Sequence, residues 1–152
     1  MAKTPETETT PKTHKAAPAK AAPTEICWLF SMTPSHRYFF MADLEWLVMT
    51  PVMKQQFRIY RDENGRPMGL VLWAKLNADA EERLIQGSTR IRPQDWTSGD
   101  RHWIIDVVDL TGGQRAQQMI DEMKSAVFKE TPFKYHRTDS SGNRVIVDTS
   151  KA

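Results

Sequence analysis

A carboxylate stands in the middle of an apolar, β-branched run, because Asp106 lies between Ile104-Ile105 and Val107-Val108. This composition predicts a buried strand. Burying an unpaired carboxylate costs several kcal/mol or more. We therefore expect Asp106 to be paired, hydrogen-bonded or directed into a cavity, and it is the first candidate for chemistry.

A second candidate is His36, which follows Pro34 and Ser35 near the start of the apolar part of the chain. Histidine changes its charge close to neutral pH and is therefore suited to general acid–base work. A histidine in this context is more often a loop or capping residue than a base. Spacing alone does not bring His36 and Asp106 together.

Other reactive residue types have weaker cases. His102 lies four residues before Asp106, on the same predicted face of the strand, and packing or surface exposure explains it. His136 falls in a predicted terminal hairpin, and no cluster of His or Cys has metal-ligand spacing, so we expect no metal site. Cys27 has only apolar neighbours that would not lower its pKa, which favours a small buried hydrophobe over a nucleophile.

Composition narrows the class of protein. The 152 residues include 21 Lys and Arg and 19 Asp and Glu, which gives a net charge of +2. The basic residues are scattered among the acidic ones, so the sequence shows no basic patch of the kind that binds nucleic acid. A single cysteine excludes an internal disulfide, and the sequence shows neither a membrane-spanning run nor a signal peptide. We expect a cytoplasmic protein with no transmembrane segment and no nucleic-acid partner.

The elements that must position these residues follow from hydrophobic periodicity and turn residues. Residues 1–24 are rich in Thr, Lys, Ala and Pro and predict a disordered tail, whereas residues 25–152 predict one domain. In the first half of this domain we expect a helix over 43–52, with Asp43 as its cap and Pro51 ending or kinking it, and then a hairpin around Asn64-Gly65. A helix capped by Asn77 and the strand with Asp106 follow. The last predicted elements are a helix from Gly112-Gly113 to Phe128 and a terminal hairpin from about 131. This order predicts an α/β or α+β fold with a mixed, mostly antiparallel sheet flanked by helices.

Several blocks of residues, taken together and in order, point to one family. They are Trp28-Leu29-Phe30, Pro34-Ser35-His36-Arg37, Pro51-Val52, Arg61, Trp73-Ala74 with Leu76, and the long block from Asp95 to Asp106. Over about residues 26–130 the chain resembles the RTX toxin-activating lysine acyltransferases.

The resemblance implies a GNAT-like fold and a cytoplasmic homodimer. It implies transfer of a fatty acyl group from acyl carrier protein to internal lysines of an RTX-type protoxin. The family's catalytic histidine corresponds to His36, two residues after Pro34, and its catalytic aspartate to Asp106. Lysine has a pKa near 10.4 and needs a base to become a neutral nucleophile. His36 could be that base or could carry the acyl group itself, with Asp106 holding one tautomer. The thioester is already activated, so no metal or other cofactor is implied.

Substrate contacts are less well defined by the resemblance. Thr33 takes the place of a serine that commonly precedes the family's Pro-x-His, and Arg37 follows the histidine. Trp73 and Trp103 could line an acyl channel, although tryptophans are more often core residues. Where the family usually has Ala-Pro-Phe-Gly, this chain has Asp109-Leu110-Thr111-Gly112, which leaves acyl-chain choice and donor contacts open.

Two other functions remain open at this point. One is a GNAT-like N-acyltransferase that uses acyl-CoA on another amine, since Gly112-Gly113 before a helix is weakly typical of a phosphate-binding helix start. The other is a non-catalytic relative that binds carrier protein or toxin without turnover.

Overall fold

The computed structural model describes residues 21–151. Its regular elements alternate between helices, short turns and strands along the chain. They are α1 (Ala22–Met32), a 3₁₀ turn (Met41–Asp43), a π-helical turn (Glu45–Met49), α2 (Thr50–Met53), β1 (Phe57–Arg61), β2 (Pro67–Leu76), α3 (Ala78–Ile85), a 3₁₀ turn (Pro93–Trp96), β3 (Arg101–Asp109), α4 (Ala116–Ala126), β4 (Phe133–Thr138), β5 (Arg144–Asp148) and a 3₁₀ turn (Thr149–Lys151).

The five strands form one sheet in the order β1-β2-β3-β4-β5. Neighbouring strands are antiparallel, except that β3 and β4 are parallel, paired at His102–Phe133 and Trp103–Lys134. This confirms the predicted mixed, mostly antiparallel sheet flanked by helices. The parallel pair needs a crossover, which α4 provides between β3 and β4.

Turn and cap residues act as their chemistry predicts. The β1–β2 hairpin turns through Asn64-Gly65, and Gly65 has φ +78°, which is open to glycine at little cost. Asn77 caps α3, since its side-chain oxygen accepts the Ala80 N–H at 2.8 Å.

The sheet has a core on each face. On one face, β-strand residues such as Leu72 and Trp103 pack with α1, the 41–53 segment and α3. On the other, Trp73 and Ile104 pack with α4 and β4, where Met123 is fully buried. Alternate residues of β2 therefore serve opposite cores, which fixes its register in the sheet.

The 43–52 region is helical but is not one regular helix. A π-helical turn precedes Pro51, whose ring cannot donate a helix hydrogen bond, and the helix continues to Met53 rather than ending at the proline. The Thr50 hydroxyl donates to the Glu45 carbonyl oxygen at 2.8 Å. Asp43 lies inside the first turn, where its carboxylate accepts the Phe40 N–H at 2.9 Å.

The domain starts earlier than the composition indicates. The predicted tail of residues 1–24 falls mostly outside the described residues, but Ala22–Thr24 belong to α1, and Ala22 is fully buried. Pro23 sits in the first helical turn, where its missing N–H costs nothing. Among residues 21–151, none of the helices has the length and apolar character needed to cross a bilayer.

Candidate active site

A bulge in β3 decides which face of the sheet carries Asp106. Leu72 of β2 pairs with Asp106, but the next residue, Trp73, pairs with Ile104, so Ile105 is an extra residue in β3. With strict alternation Asp106 would share the α4 face with Ile104. The bulge turns Asp106 to the α1 face instead.

The same bulge corrects the expectation for His102. That residue was expected to share a face with Asp106, but its ring packs on Phe128 of the α4-side core, with ring centroids 5.4 Å apart. His102 therefore lies on the opposite face from Asp106, and its role is packing.

The end of α1 places His36. Thr33 precedes a proline and takes the extended backbone this favours (φ −105°, ψ 132°), which ends the helix. The backbone N–H of His36 then donates to the Thr33 carbonyl oxygen at 3.2 Å and forms a turn. The imidazole stacks on Phe30, with centroids 4.7 Å apart and planes 6° from parallel, and meets the edge of Phe39. Packing on two rings holds the imidazole in one orientation.

The turn and the bulged strand bring the two candidates together. His36 Nε2 lies 2.8 Å from Asp106 Oδ2, and the two side chains are 10% and 20% exposed. The expectation that Asp106 is paired is confirmed. An ionised carboxylate only accepts hydrogen bonds, so Nε2 carries the hydrogen and donates it to Asp106.

The other ring nitrogen faces two hydroxyl groups. Nδ1 lies 2.8 Å from Ser35 Oγ and 3.2 Å from Thr33 Oγ1. The Thr33 hydroxyl is also 3.1 Å from the Phe30 carbonyl oxygen, which can only accept, so its hydrogen is directed there. Ser35 therefore supplies the donor to Nδ1. Sequence reasoning missed Ser35 and the stacking ring of Phe30; adjacency to His36 was the one available signal for Ser35.

A pocket of about 460 Å³, including its open mouth, adjoins the imidazole. Its lining is mostly apolar and comes from α1, the turn after it and the 41–53 segment. The lining residues are Cys27, Phe30, Ser31, His36, Arg37, Phe39, Phe40, Met41, Asp43, Leu44 and Leu47. Burial raises the pKa of the Cys27 thiol, which supports its interpretation as a small hydrophobe. A hydrogen bond from the Trp46 indole, together with one from the Phe40 N–H, lowers the pKa of Asp43, so this carboxylate stays charged in the pocket.

The four predicted substrate-contact residues divide into two pairs. Thr33 touches the catalytic candidate His36, and Arg37 lines the pocket. Trp73 and Trp103 do not line it. Trp73 packs edge-on against Phe128 in the α4-side core. Trp103 is fully buried, and its indole N–H donates to Glu81 at 2.7 Å. Their size and burial explain them as core residues.

Residues 109–111, which differ from the Ala-Pro-Phe-Gly usual in the family that the sequence resembles, form a polar turn before α4. Asp109 Oδ1 accepts the Thr111 N–H at 2.9 Å and the Thr111 hydroxyl at 2.6 Å, while Oδ2 accepts the Arg115 N–H at 2.8 Å. Burial raises the pKa of Asp109, but these hydrogen bonds outweigh it and the pKa is lowered overall. The amides ahead of α4 are thus occupied by a carboxylate of the same chain.

No set of three or more His, Cys, Asp or Glu side chains within residues 21–151 is arranged to hold a metal ion. What the site does offer is a base, its carboxylate partner and an adjoining apolar pocket. This arrangement can move a proton at Nδ1 while Asp106 stabilises the charged ring.

Comparison with known proteins gives a consistent result. Residues 17–150 match a family model described as the RTX toxin acyltransferase family (HlyC). The RTX-II toxin-activating lysine-acyltransferase ApxIIC of Actinobacillus pleuropneumoniae is 33% identical over 82 residues, 54% of this chain and 51% of the relative. The lysine-acyltransferase RtxC of Vibrio cholerae is 31% identical over 105 residues, 68% of this chain and 66% of the relative.

A third relative, the protein-lysine myristoyltransferase RtxC of Kingella kingae, is 26% identical over 115 residues, 76% of this chain and 66% of the relative. The chain thus spans about half to two thirds of the length of these curated relatives. A crystal structure of histone acetyltransferase HPA2 and related acetyltransferase from Corynebacterium glutamicum superimposes with a TM-score of 0.51 at 14% identity, covering 84% of this chain and 77% of that one. At this identity the likeness concerns the fold, and it agrees with the GNAT-like fold that was predicted.

Proposed function

Because the chain belongs to the RTX toxin acyltransferase family, we propose that it is a protein-lysine fatty acyltransferase. It takes an acyl group from acyl carrier protein and attaches it to internal lysines of an RTX-type protoxin. One observation carries the proposal: the 2.8 Å contact between His36 Nε2 and Asp106, which leaves Nδ1 as the nitrogen not bound to the carboxylate, on an imidazole that also lines an apolar pocket. The names of relatives as lysine acyltransferases, one of them a myristoyltransferase, support a lysine acceptor and a long acyl group.

In the proposed reaction, the substrate amine displaces the exposed Ser35 hydroxyl from Nδ1. His36 takes the first proton from the lysine ammonium and releases it to solvent, which leaves a neutral amine. The amine nitrogen attacks the thioester carbonyl, and a C–N bond forms. His36 takes the second proton from that nitrogen and passes it to the thiolate as the C–S bond breaks. Asp106 stabilises the imidazolium each time it forms.

The thioester supplies an activated carbonyl, so the proposed transfer uses no metal or other cofactor. Acceptance of the acyl group by His36 itself, as a nucleophile, is the alternative order of events. It predicts a transient acyl-protein when donor is supplied without acceptor. Intact mass spectrometry of a rapidly quenched mixture distinguishes the two orders, because only the nucleophilic route adds the acyl mass to this chain.

The loop before α4 supports one donor over the other. A CoA donor needs an anion-binding site for its phosphates, and free amides at a helix start are the usual one. Here Asp109 occupies the amides of Thr111 and Arg115 and places a negative charge among them. This supports a carrier-protein donor over acyl-CoA. Arg37 is exposed and would favour docking of an acidic carrier protein, whereas Arg58 is half-buried and bound to Glu122.

The decisive experiment is co-production of a candidate protoxin with this protein, followed by intact mass and peptide mapping. We expect one or more lysines to gain a fatty acyl mass. Replacing His36 with alanine should lower acylation at least about 100-fold, the lower end of general acid–base contributions. Purified acyl carrier protein and CoA thioesters of one acyl group, supplied in competition, should give transfer mainly from the carrier protein.

An unmodified protoxin would contradict the proposal and favour a non-catalytic binding protein. Preferential use of CoA thioesters would overturn the donor assignment and leave the transferase in place. A cytoplasmic homodimer is the assembly implied by the resemblance, and sedimentation equilibrium of the purified protein tests the oligomeric part.

A further inference from the structure

The pocket beside His36 has a direction, set by α1. Phe30 stacks on the imidazole, and Cys27 lies three residues earlier on the same helix. Three residues of α-helix span about 4.5 Å, so Cys27 lies about one turn further from the ring than Phe30 does. Both residues line the pocket. The pocket therefore extends from the reacting imidazole towards Cys27.

The opposite wall comes from the 41–53 segment. Leu44 and Leu47 face the pocket from the π-helical turn and the residue before it, and both also pack on the α1-side core. Phe30 and Leu47 are buried and fixed by this packing. The walls therefore offer an apolar ligand dispersion contacts with atoms that are already ordered, which lowers the entropic cost of binding.

From these observations we propose that this pocket binds the methylenes of the fatty acyl chain nearest the thioester, with Cys27 in its wall about one helical turn beyond Phe30. The inference rests on the proposed acyltransferase function and names the acyl-chain subsite within it. Phe30 both stacks on the imidazole and lines the pocket, so a thioester held beside His36 has an apolar wall next to its alkyl chain. The chain then continues between α1 and the 41–53 segment.

The mouth of the pocket receives the remaining part of a long chain. Phe40 and Met41 line the pocket yet are 78% and 82% exposed, which is unusual for side chains of their size. A long alkyl chain that leaves the pocket across these residues would bury its own surface and theirs. Each methylene buried in this way strengthens binding about fourfold.

Substitution of Cys27 by phenylalanine tests the subsite. The larger side chain fills the part of the pocket one turn beyond Phe30, so octanoyl and tetradecanoyl transfer should fall at least tenfold in kcat/KM relative to acetyl transfer. The matched control is Ser140→Phe, a comparable enlargement at an exposed position in the turn between β4 and β5. Equal loss at every chain length, or no loss, would overturn the assignment.

A second measurement uses the wild-type protein and needs no catalytic turnover, so it does not depend on whether a variant folds. Cys27 is the chain's single cysteine, so alkylation by N-ethylmaleimide reports on this position alone. Labelling is followed near neutral pH, where maleimides react with thiols rather than amines, and it is slow because burial raises the pKa of the thiol. Carrier protein bearing a tetradecyl thioether, which has no leaving group, should slow labelling at least tenfold, and the methyl thioether should not.

The two readouts separate failure of the subsite from failure of the function. Acyl transfer by the wild-type protein without protection of Cys27 would overturn the subsite and leave the acyltransferase function intact. Protection of Cys27 by the long thioether without any transfer would support the subsite and contradict the proposed catalysis. Labelling at an equal rate with both thioethers would contradict the subsite directly.

Discussion

At the scale of single residues, the two nitrogens of His36 have different partners and therefore different tasks. Nε2 is committed to Asp106 at 2.8 Å, while Nδ1 accepts from a hydroxyl on an exposed serine. A carboxylate on Nε2 keeps the lone pair on Nδ1 and stabilises the ring when it becomes charged. In the proposed mechanism, the nitrogen that works as a base is therefore Nδ1, the one nearer the backbone.

Asp106→Asn should lower acyl transfer about 100-fold or more with little change in fold. The amide donates to Nε2 through its NH₂ group or accepts less strongly, so the ring loses its preferred tautomer and the charged form loses its partner. Initial rates with a protoxin acceptor, together with circular dichroism, provide the measurement. Asp100→Asn, in the exposed turn before β3, is the control. Retention of more than a third of wild-type activity would contradict the role.

The two hydroxyls near Nδ1 should respond differently to removal. Ser35 is exposed and gives way to the amine, so Ser35→Ala should change the rate less than about fivefold. Thr33 is buried and also binds the Phe30 carbonyl oxygen, so Thr33→Val should cost about 1 kcal/mol of unfolding free energy in addition to activity. Urea denaturation and initial rates distinguish the two variants. A larger rate loss in Ser35→Ala would indicate that this hydroxyl takes part in the reaction.

At the scale of elements, the bulge in β3 is what makes the site. Ile105 is the extra residue, and it moves Asp106 from the α4 face to the α1 face, where the end of α1 holds His36. The hydrophobic pattern predicts the strand and the anomaly of its aspartate. It contains no sign of the bulge, because an extra residue among isoleucines leaves the composition unchanged. For this reason the alternation pattern predicts, wrongly, that His102 and Asp106 share a face.

Other predictions held where the signal is local and failed where the outcome depends on tertiary packing. Asn64-Gly65 and Asn77 carry turn and cap chemistry in their own side chains and backbones, and the structure agrees with both. The location of Trp73 and Trp103 depends on which face of the sheet each reaches and what covers it, which are tertiary facts. The contact between His36 and Asp106 could be predicted only from the family resemblance, because nothing in the sequence around either residue indicates the other.

The cap of α3 gives a prediction at this scale. Asn77→Ala should lower the unfolding free energy by about 1 kcal/mol, because the Ala80 N–H loses its side-chain acceptor. Asn77→Asp should keep most of the stability, since a carboxylate also accepts and suits the positive end of the helix. Urea titrations of both variants give the comparison. Equal destabilisation by the two substitutions would show that the cap contributes nothing.

At the scale of the whole molecule, a buried carboxylate links distant elements. Glu81 of α3 accepts from Arg101 and Trp103 of β3 at 2.8 and 2.7 Å, and from Lys134 of β4 at 3.3 Å. Burial raises the pKa of Glu81, but hydrogen bonds from Trp103, Lys134 and Arg101 outweigh it, and the pKa is lowered overall. Burial also raises the pKa of Asp95, but hydrogen bonds from Arg92 and the nearby charge of Arg83 outweigh it, and the pKa is lowered overall.

Acid should therefore destabilise the fold through these groups. A carboxylate whose pKa is lower in the folded state contributes stability above its unfolded pKa, near 4, and that contribution is lost as pH falls through the folded value. Urea midpoints should be flat near neutrality and drop below about pH 4. In Glu81→Gln the drop should be shallower, and the neutral-pH stability about 1 to 2 kcal/mol lower. An unchanged slope in this variant would exclude Glu81 as a contributor.

The bond between His36 and Asp106 spans 70 residues and crosses from the connector after α1 to the centre of the sheet. The bond therefore depends on the position of α1 against the sheet. A displacement of α1, even a brief one, would separate the imidazole from its carboxylate while every strand stays hydrogen-bonded. Mild heating or dilute urea should therefore abolish the proposed acyl transfer before spectroscopy detects unfolding of the sheet. An incompletely folded copy would then be inert, unable to transfer acyl groups to whatever amine it met.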